Sequence, residues 1–204
     1  MPLPQPVARR HLHTRAVTYT GFIRDDGLWE IEGEMTDVKT YDFTRTDGQE
    51  MPAGTPIHAM QIRLTVDDDM VIRAVATSMD HTPFGECQQG NDPMQRMVGE
   101  RMGPGWRQAI ERHLGGVRGC THLRELLFNM ATAAYQTVFA WRERQQSEQG
   151  VERRHSAEPP YHLGRCIAWD TSGPATARYY PQFVNWVRKP RPAQPAQDVK
   201  PSSS

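Results

Sequence analysis

The sequence predicts an α+β fold, an antiparallel sheet of about four to six strands with helices packed on one face. Apolar and polar residues alternate in the early segments. In residues 28–39, Trp29, Ile31 and Met35 share one side of a strand and three glutamates share the other. From about residue 92 the apolar spacing changes to the period of a helix. Strands that precede helices along the chain are typical of this fold class.

Turn signals separate the predicted strands, which are residues 16–24, 28–39, 57–66 and 70–79. The tripeptide Asp-Asp-Gly closes the first strand, and three aspartates at 67–69 form the turn before the last. In the third strand His58 shares its face with four apolar side chains. A hydrogen-bonded core histidine and a metal ligand are both compatible with this pattern.

The predicted helices are residues 92–102, 104–114 and 121–141. The second has a proline near its start and apolar residues at helical spacing. His113 fits that apolar stripe and is interpreted as structural. The stretches 161–173 and 177–187 suggest one or two short strands or an irregular cover.

The expected organisation is a single α+β domain over residues 9–187, with a polar linker at about residues 142–160. Residues 1–8 are proline-rich and are predicted to be a flexible tail. Residues 188–204 are rich in proline and serine and are predicted to be disordered.

Composition narrows the classes of protein. The 204 residues carry 24 basic and 24 acidic side chains, so the charge balance indicates neither a nucleic-acid nor a membrane partner. The chain has no apolar run of about 18 residues and no signal-peptide pattern at its start, so we expect a cytoplasmic protein. Three cysteines argue against a disulfide framework and leave thiols free to bind metal or react.

Polar side chains on the early strands need partners. By strand parity Asp37 points inward, where an unpaired carboxylate is costly. A pair with Lys39, two residues on, is the simpler interpretation, and a role in a functional site is the alternative. His11, His13 and Arg15 share a face of the first strand; this pattern favours a solvated sheet face over an anion site.

Four residues form a candidate metal site: His58, Cys87, Cys120 and His122. His58 lies on a strand, Cys87 lies in the following loop, and Cys120 and His122 open the longest helix. A helix start favours an anion, and the glycines at 115, 116 and 119 allow close backbone approach. Two thiolates and two imidazoles suit zinc or an iron centre. Cys87 is equally compatible with a small core residue, and nothing in the sequence places Cys166.

Several motifs resemble an uncharacterised bacterial family, the one numbered 2889 among the domains of unknown function. They are "HTR", "GFIRDDGLWEIEGEMTDVK", "PIHAMQIRLTVDDDMVI", a cysteine before a short helix, and "GCTHLREL". The resemblance covers about residues 9–140 and extends to the segment near Tyr180. It implies no particular activity.

The order of elements, with its helical second half, also resembles iron–sulfur cluster scaffold proteins of the NifU type. That likeness implies Cys87 and Cys120 as thiolate ligands, with His122 beside the second. His58 stands where those scaffolds have their first cysteine. One fewer thiolate favours a mononuclear site such as zinc.

Three functions follow as hypotheses. The first is a metal-binding protein that uses the four-residue site. The second is an enzyme with Cys120 as nucleophile, a histidine as base, for which His122 is a candidate, and Asp37 or an arginine as substrate anchor. Its substrate would be a small carboxylate or an acyl thioester. The third is a non-catalytic module that binds a small ligand in an apolar pocket. Trp29, Trp106 and Phe128 would frame that pocket, and Arg24 or Arg63 would hold an anion. The sequence leaves the substrate, the metal and the oligomeric state open.

Overall fold

The structure is a computed structural model that describes residues 2–150 and 158–187. The chain divides into two compact units, Met1–Arg144 and Gln145–Ser204. The predicted tail at 188–204 and residues 151–157 of the predicted linker lie outside the described residues. The extent of the single predicted domain stays a prediction.

The first unit is built on a four-stranded antiparallel sheet. Its strands are β1 (His13–Ile23), β2 (Trp29–Lys39), β5 (Pro56–Val66) and β6 (Ile72–His81), in the spatial order β1-β2-β5-β6. A two-stranded sheet, β3 (Phe43–Thr44) with β4 (Glu50–Met51), interrupts the connection from β2 to β5. The predicted α+β fold is confirmed, since helices follow these strands.

Side-chain alternation decides which face of the sheet is buried. In β2, Trp29, Ile31, Met35 and Asp37 are all buried, whereas Glu34 is exposed. The register aligns the buried face across the strands, because Ile31 lies opposite Leu64 and Met35 lies opposite Met60. One face therefore belongs to the core and the other to solvent.

Two α-helices of this unit follow the sheet along the chain. After two 3₁₀ helices, Gly85–Gly90 and Asp92–Met97, come α1 (Trp106–Leu114), another 3₁₀ helix at Gly116–Arg118, and α2 (Thr121–Glu148). The first predicted helix is 3₁₀ and stops at Met97. The last continues beyond residue 141, because arginine, glutamate and glutamine sustain a helix well.

The core lies where the sheet, α1 and α2 meet. Trp106 of α1 donates its indole N–H to the carbonyl of Leu127 in α2, at 3.0 Å. The core contains eight buried methionines: Met35, Met60, Met70, Met79, Met94, Met97, Met102 and Met130. Methionine side chains adapt to irregular gaps, so this core can fill the space between elements of different period.

Glycines allow α2 to lie close to β1 and β2. A Cβ atom at Gly21 would stand 1.9 Å from Oγ1 of Thr137 and 2.7 Å from its Cβ. A Cβ atom at Gly33 would meet the ring of Tyr19 at 3.1 Å and the sulfur of Met130 at 3.4 Å. These two positions set how near the helix approaches the sheet.

Residues 158–187 of the second unit contain no strand, so of the two alternatives predicted there the short strands are wrong and the irregular cover is confirmed. This stretch holds a 3₁₀ helix at Ile167–Trp169, α3 (Pro174–Tyr179) and a 3₁₀ helix at Pro181–Phe183. The rings of His162 and Trp169 lie 4.5 Å apart, between centroids.

No helix in residues 2–150 and 158–187 combines the length and apolar character required to cross a bilayer.

We expect Gly21→Ala to lower the free energy of unfolding by about 1–3 kcal/mol, because the added methyl group overpacks the contact with Thr137. Urea denaturation would measure the change. Gly85→Ala is the matched control, since nothing lies within 4 Å of a Cβ at that position. Equal stability of Gly21→Ala and wild-type protein would contradict the close approach of α2.

Candidate metal centre

The register of the sheet places three polar side chains in one row on the core face. Arg15 of β1 lies opposite Asp37 of β2, and Asp37 lies opposite His58 of β5. The pairing of β5 becomes irregular on both sides of His58, with a shift after Asp37 against β2 and another between Ala59 and Met60 against β6. Such bulges re-aim side chains and occur often beside functional sites.

Asp37 is the centre of a hydrogen-bonded cluster. Its oxygen Oδ1 accepts from Nε of Arg15 and from Nε2 of His13, both at 2.9 Å. Its oxygen Oδ2 accepts from Nη2 of Arg15 at 2.9 Å and from Nδ1 of His58 at 3.0 Å. A carboxylate has about four acceptor positions, so these donors fill them.

The pKa of Asp37 reflects a balance of opposed effects. Burial alone would raise it, since the side chain is only 3% exposed. Hydrogen bonds and charge from Arg15, with hydrogen bonds from His13 and His58, nevertheless hold the pKa of Asp37 below its ordinary value of 3.8. The carboxylate is therefore ionised at neutral pH.

His122 reaches the same cluster from the first turn of α2. The centroids of the His58 and His122 rings are 3.9 Å apart, and the planes are tilted by 39°. Burial lowers the pKa of His122 below 6.5, and the neighbouring His58 and Arg15 act in the same direction, against Asp37 and Glu125. The imidazole of His122 is thus mostly neutral at neutral pH, which is the form that binds metal ions.

Asp37, His58 and His122 together form a possible metal-binding group. One oxygen of the carboxylate and one nitrogen of each ring all lie within 4.8 Å of one another. Asp37 is buried and the two histidines are half-buried, so the group lies at the edge of the core. Within residues 2–150 and 158–187 it is the one such group of histidine, cysteine and acidic side chains.

The cysteines occupy different places. Cys120 directly precedes α2, and its sulfur lies 3.9 Å from Nδ1 of His122. Cys87 is half-buried in the 3₁₀ helix Gly85–Gly90, whose last residue packs on Cys120: a Cβ at Gly90 would stand 2.8 Å from that of Cys120. Neither cysteine belongs to the three-residue group.

Cys166 is exposed in the second unit. Metal ligation by Cys87 and Cys120 stays a prediction.

The expected pair between Asp37 and Lys39 is wrong. The ammonium group of Lys39 lies 4.0 Å from the ring centroid of Phe43 instead, and Asp37 takes its partners from neighbouring strands. His13 and Arg15, interpreted as a solvated face, bind an anion that belongs to the protein itself. Strand parity predicts that both side chains share a face of β1. It does not predict that Asp37 of β2 lies within hydrogen-bonding distance of them.

His113, interpreted from the sequence as structural, pairs with an acidic side chain. It donates a hydrogen bond to Glu100 at 2.8 Å, and Arg112 holds the same carboxylate.

The prediction of an apolar pocket framed by Trp29, Trp106 and Phe128 is wrong for the two tryptophans. Both indoles are buried and donate their N–H groups to Asp68 and to the carbonyl of Leu127. Arg24 and Arg63, the two expected anion anchors, pair with nearby carboxylates.

A cleft of about 400 Å³ lies elsewhere, along β1 and α2. Its lining includes Phe128, Arg15 and Arg107. Phe128 is thus the one residue of the expected pocket that lines it.

The family described as "Protein of unknown function (DUF2889)" matches residues 13–136. The chain belongs to this family. The matched range runs from the start of β1 into α2, so it includes every side chain of the candidate centre in this DUF2889 protein. No curated protein and no solved structure matches the chain. The likeness to iron–sulfur scaffold proteins stays a prediction.

In this DUF2889 protein, Asp37→Asn should lower the free energy of unfolding by about 2–3 kcal/mol, measured by urea denaturation. Breaking a buried ion pair costs about 3–5 kcal/mol, and the 37% exposure of the Arg15 side chain moderates that cost. Asp26→Asn is the control, because the Asp26–Arg24 pair is exposed to solvent and should contribute little to stability.

The same variant tests the pH dependence. Because the pKa of Asp37 is lower in the folded than in the unfolded chain, its contribution is present above pH 3.8 and is lost as pH falls below that value. Wild-type stability should therefore fall more steeply in this range than that of Asp37→Asn. Parallel curves for the two proteins would contradict an ionised, paired Asp37.

Proposed function

We propose that this DUF2889 protein binds one divalent metal ion, zinc or iron, through Asp37, His58 and His122. The observation that supports this proposal most directly is the convergence of their donor atoms within 4.8 Å. The elements that bring them together are distant in sequence, namely β2, β5 and the start of α2.

The donor set suits this role. Two imidazoles and one carboxylate are a common set for catalytic zinc and for iron(II) in oxygen-dependent enzymes, and they leave coordination positions open. Cys120 is the natural fourth ligand, because its sulfur is 3.9 Å from a ring nitrogen of His122. A thiolate would shift the preference towards zinc and close the site.

The hydrogen bonds of Asp37 define two ways of holding the ion. In one, the carboxylate binds the metal directly and the ring of His58 turns away from Oδ2. In the other, Asp37 keeps its hydrogen bond to Nδ1 of His58 and orients the ring, leaving Nε2 for the metal. Zinc sites commonly use a carboxylate behind a histidine in this second way.

Calorimetric titration of chelator-treated protein with Zn²⁺, and with Fe²⁺ under anaerobic conditions, should give about one ion per chain. His58→Ala and His122→Ala should each weaken binding by about 100-fold or more, because each removes a direct ligand. Asp37→Asn should cost about 10–100-fold if the carboxylate only orients His58, and more if it binds the ion.

The control variant is His81→Ala, which removes an exposed histidine outside the group. It should bind metal like the wild-type protein. The proposal would be refuted if the wild-type protein bound neither ion stoichiometrically. It would also be refuted if His58→Ala and His122→Ala bound metal as tightly as the wild-type protein. The absorption spectrum of the Co²⁺-loaded protein tests the fourth ligand. A sulfur-to-metal charge-transfer band that is present in the wild-type protein and absent in Cys120→Ser would identify Cys120 as a ligand.

A second function is supported by the contact between Cys120 and His122. A neutral imidazole 3.9 Å from a thiol can accept its proton and produce a nucleophilic thiolate. We propose, as the alternative, a cysteine-dependent enzyme that acts on a small carboxylate or an acyl thioester, with Cys120 as nucleophile and His122 as base.

Iodoacetamide labelling at neutral pH separates this alternative from the first. Cys120 should be alkylated faster than the exposed Cys166 by about tenfold or more, and His122→Gln should remove the difference. Cys166 serves as the internal control within the same sample. Slow labelling of Cys120 in metal-free protein would refute the nucleophile.

The alternative function requires a free thiol at Cys120, and so does a fourth ligand to the metal. All three cysteines lie in the described part of the chain and are free thiols there. A reducing compartment keeps thiols in this state, and we therefore propose the cytoplasm as the location of the protein.

A further inference from the structure

A cleft adjoins the candidate metal centre and shares Arg15 with it. Its volume of about 400 Å³ lies in the range of small-ligand sites. Side chains of β1 and β2 form one side, and side chains of α1 and α2 form the other. The cleft lies entirely within the first unit.

The walls of the cleft are largely apolar and aromatic. Tyr19 and Phe128 line it from the sheet and from α2, and both are only half-buried. Val17 also lines it and remains 43% exposed, although it is apolar. Tyr19 is anchored by a hydrogen bond from its hydroxyl to the carbonyl of Leu126, at 3.3 Å. Aromatic faces held in this way can contact the ring or chain of a small molecule.

The charged side chains of the cleft differ in whether they have hydrogen-bond and ion-pair partners. Arg15 is fully engaged, because it binds Asp37 through two nitrogens and Glu125 through Nη1 at 2.8 Å. The negative charge of Glu125 is thereby offset. Arg107, in contrast, makes neither a hydrogen bond nor an ion pair within residues 2–150 and 158–187. Its guanidinium carbon lies 5.1 Å from the ring centroid of Phe128.

An uncommitted arginine beside an aromatic wall is suited to one class of ligand. The guanidinium fork binds a carboxylate through two parallel hydrogen bonds, and the ring beside it contacts the apolar body of the same molecule. A primary amine would have to compete with Arg15 for Glu125. A phosphate dianion prefers several cations, and among the described residues that line the cleft only Arg107 is without a charged partner.

From this geometry we infer that the cleft binds a small organic acid, with Arg107 on its carboxylate and Tyr19 and Phe128 against its aromatic or short aliphatic body. The inference goes beyond metal binding and does not require it, because no member of the metal-binding group lines the cleft. The bound acid would lie near the Asp37 cluster, because Arg15 both lines the cleft and pairs with Asp37.

The test titrates chelator-treated full-length protein with benzoate, phenylacetate and hexanoate by calorimetry. We expect the acids to bind, and the neutral analogue benzamide to bind about tenfold or more weakly, because it lacks the charge that Arg107 recognises. Arg107→Met should weaken acid binding by about 10–100-fold, and Arg107→Lys should fall between the two. Arg112→Met, on the same helix, should leave it unchanged, since Arg112 pairs with Glu100.

Acid binding that does not change in Arg107→Met, equal affinity for benzamide, or no binding at millimolar concentration would each overturn the inference. Inorganic phosphate that binds at Arg107 in preference to the acids would also overturn it. Arg107 is exposed, so its variants should unfold at the wild-type temperature, and this measurement confirms that lost binding is not lost folding. Since the protein is free of metal throughout, failure here leaves the metal proposal intact.

Discussion

The arrangement of this protein around its candidate site depends on one buried negative charge. Asp37 is taken out of water on the core face of the sheet, and an ionised carboxylate is stable there only with donors on every side. Arg15 supplies two of them, and His13 and His58 supply one each. These contacts join the edge strand β1 to β5 through β2. Arg15 also joins the sheet to α2 through Glu125, so one side chain connects the buried charge to the helix that carries His122.

Local sequence patterns were enough to predict much of the first unit. Strand parity placed Asp37 inward, and helical spacing located the helix that begins at Trp106. Those patterns depend on interactions between residues a few positions apart. The partner of Asp37 could not be predicted in the same way, because it depends on which residue of β1 lies opposite, and the hairpin register sets this choice. Lys39 was nearer in sequence, yet it lies over Phe43.

The residues of the candidate site also differ in how well local sequence patterns predict their positions. The pattern marked His58 by its strand face and His122 by its position at a helix start, and the structure places their rings together. Cys87 was harder to locate, since loop residues have no periodicity that reports their direction. The 3₁₀ helix that carries it packs its glycine on Cys120, which brings that segment to the start of α2. The last turns of α2, beyond residue 141, consist of polar residues with high helix propensity. Their polar composition alone predicts a linker, and for this reason the predicted helix ends too early.

The methionines next to the centre affect how it can respond to a ligand. Met35 and Met60 lie opposite each other, two residues along their strands from Asp37 and His58. Met79 lies opposite Met60 on β6. A thioether chain changes rotamer at low cost and loses little contact when its neighbours shift. The core residues that neighbour Asp37 and His58 along their strands are therefore adaptable ones. A change in the orientation of the His58 ring should therefore cost little packing energy in this part of the sheet.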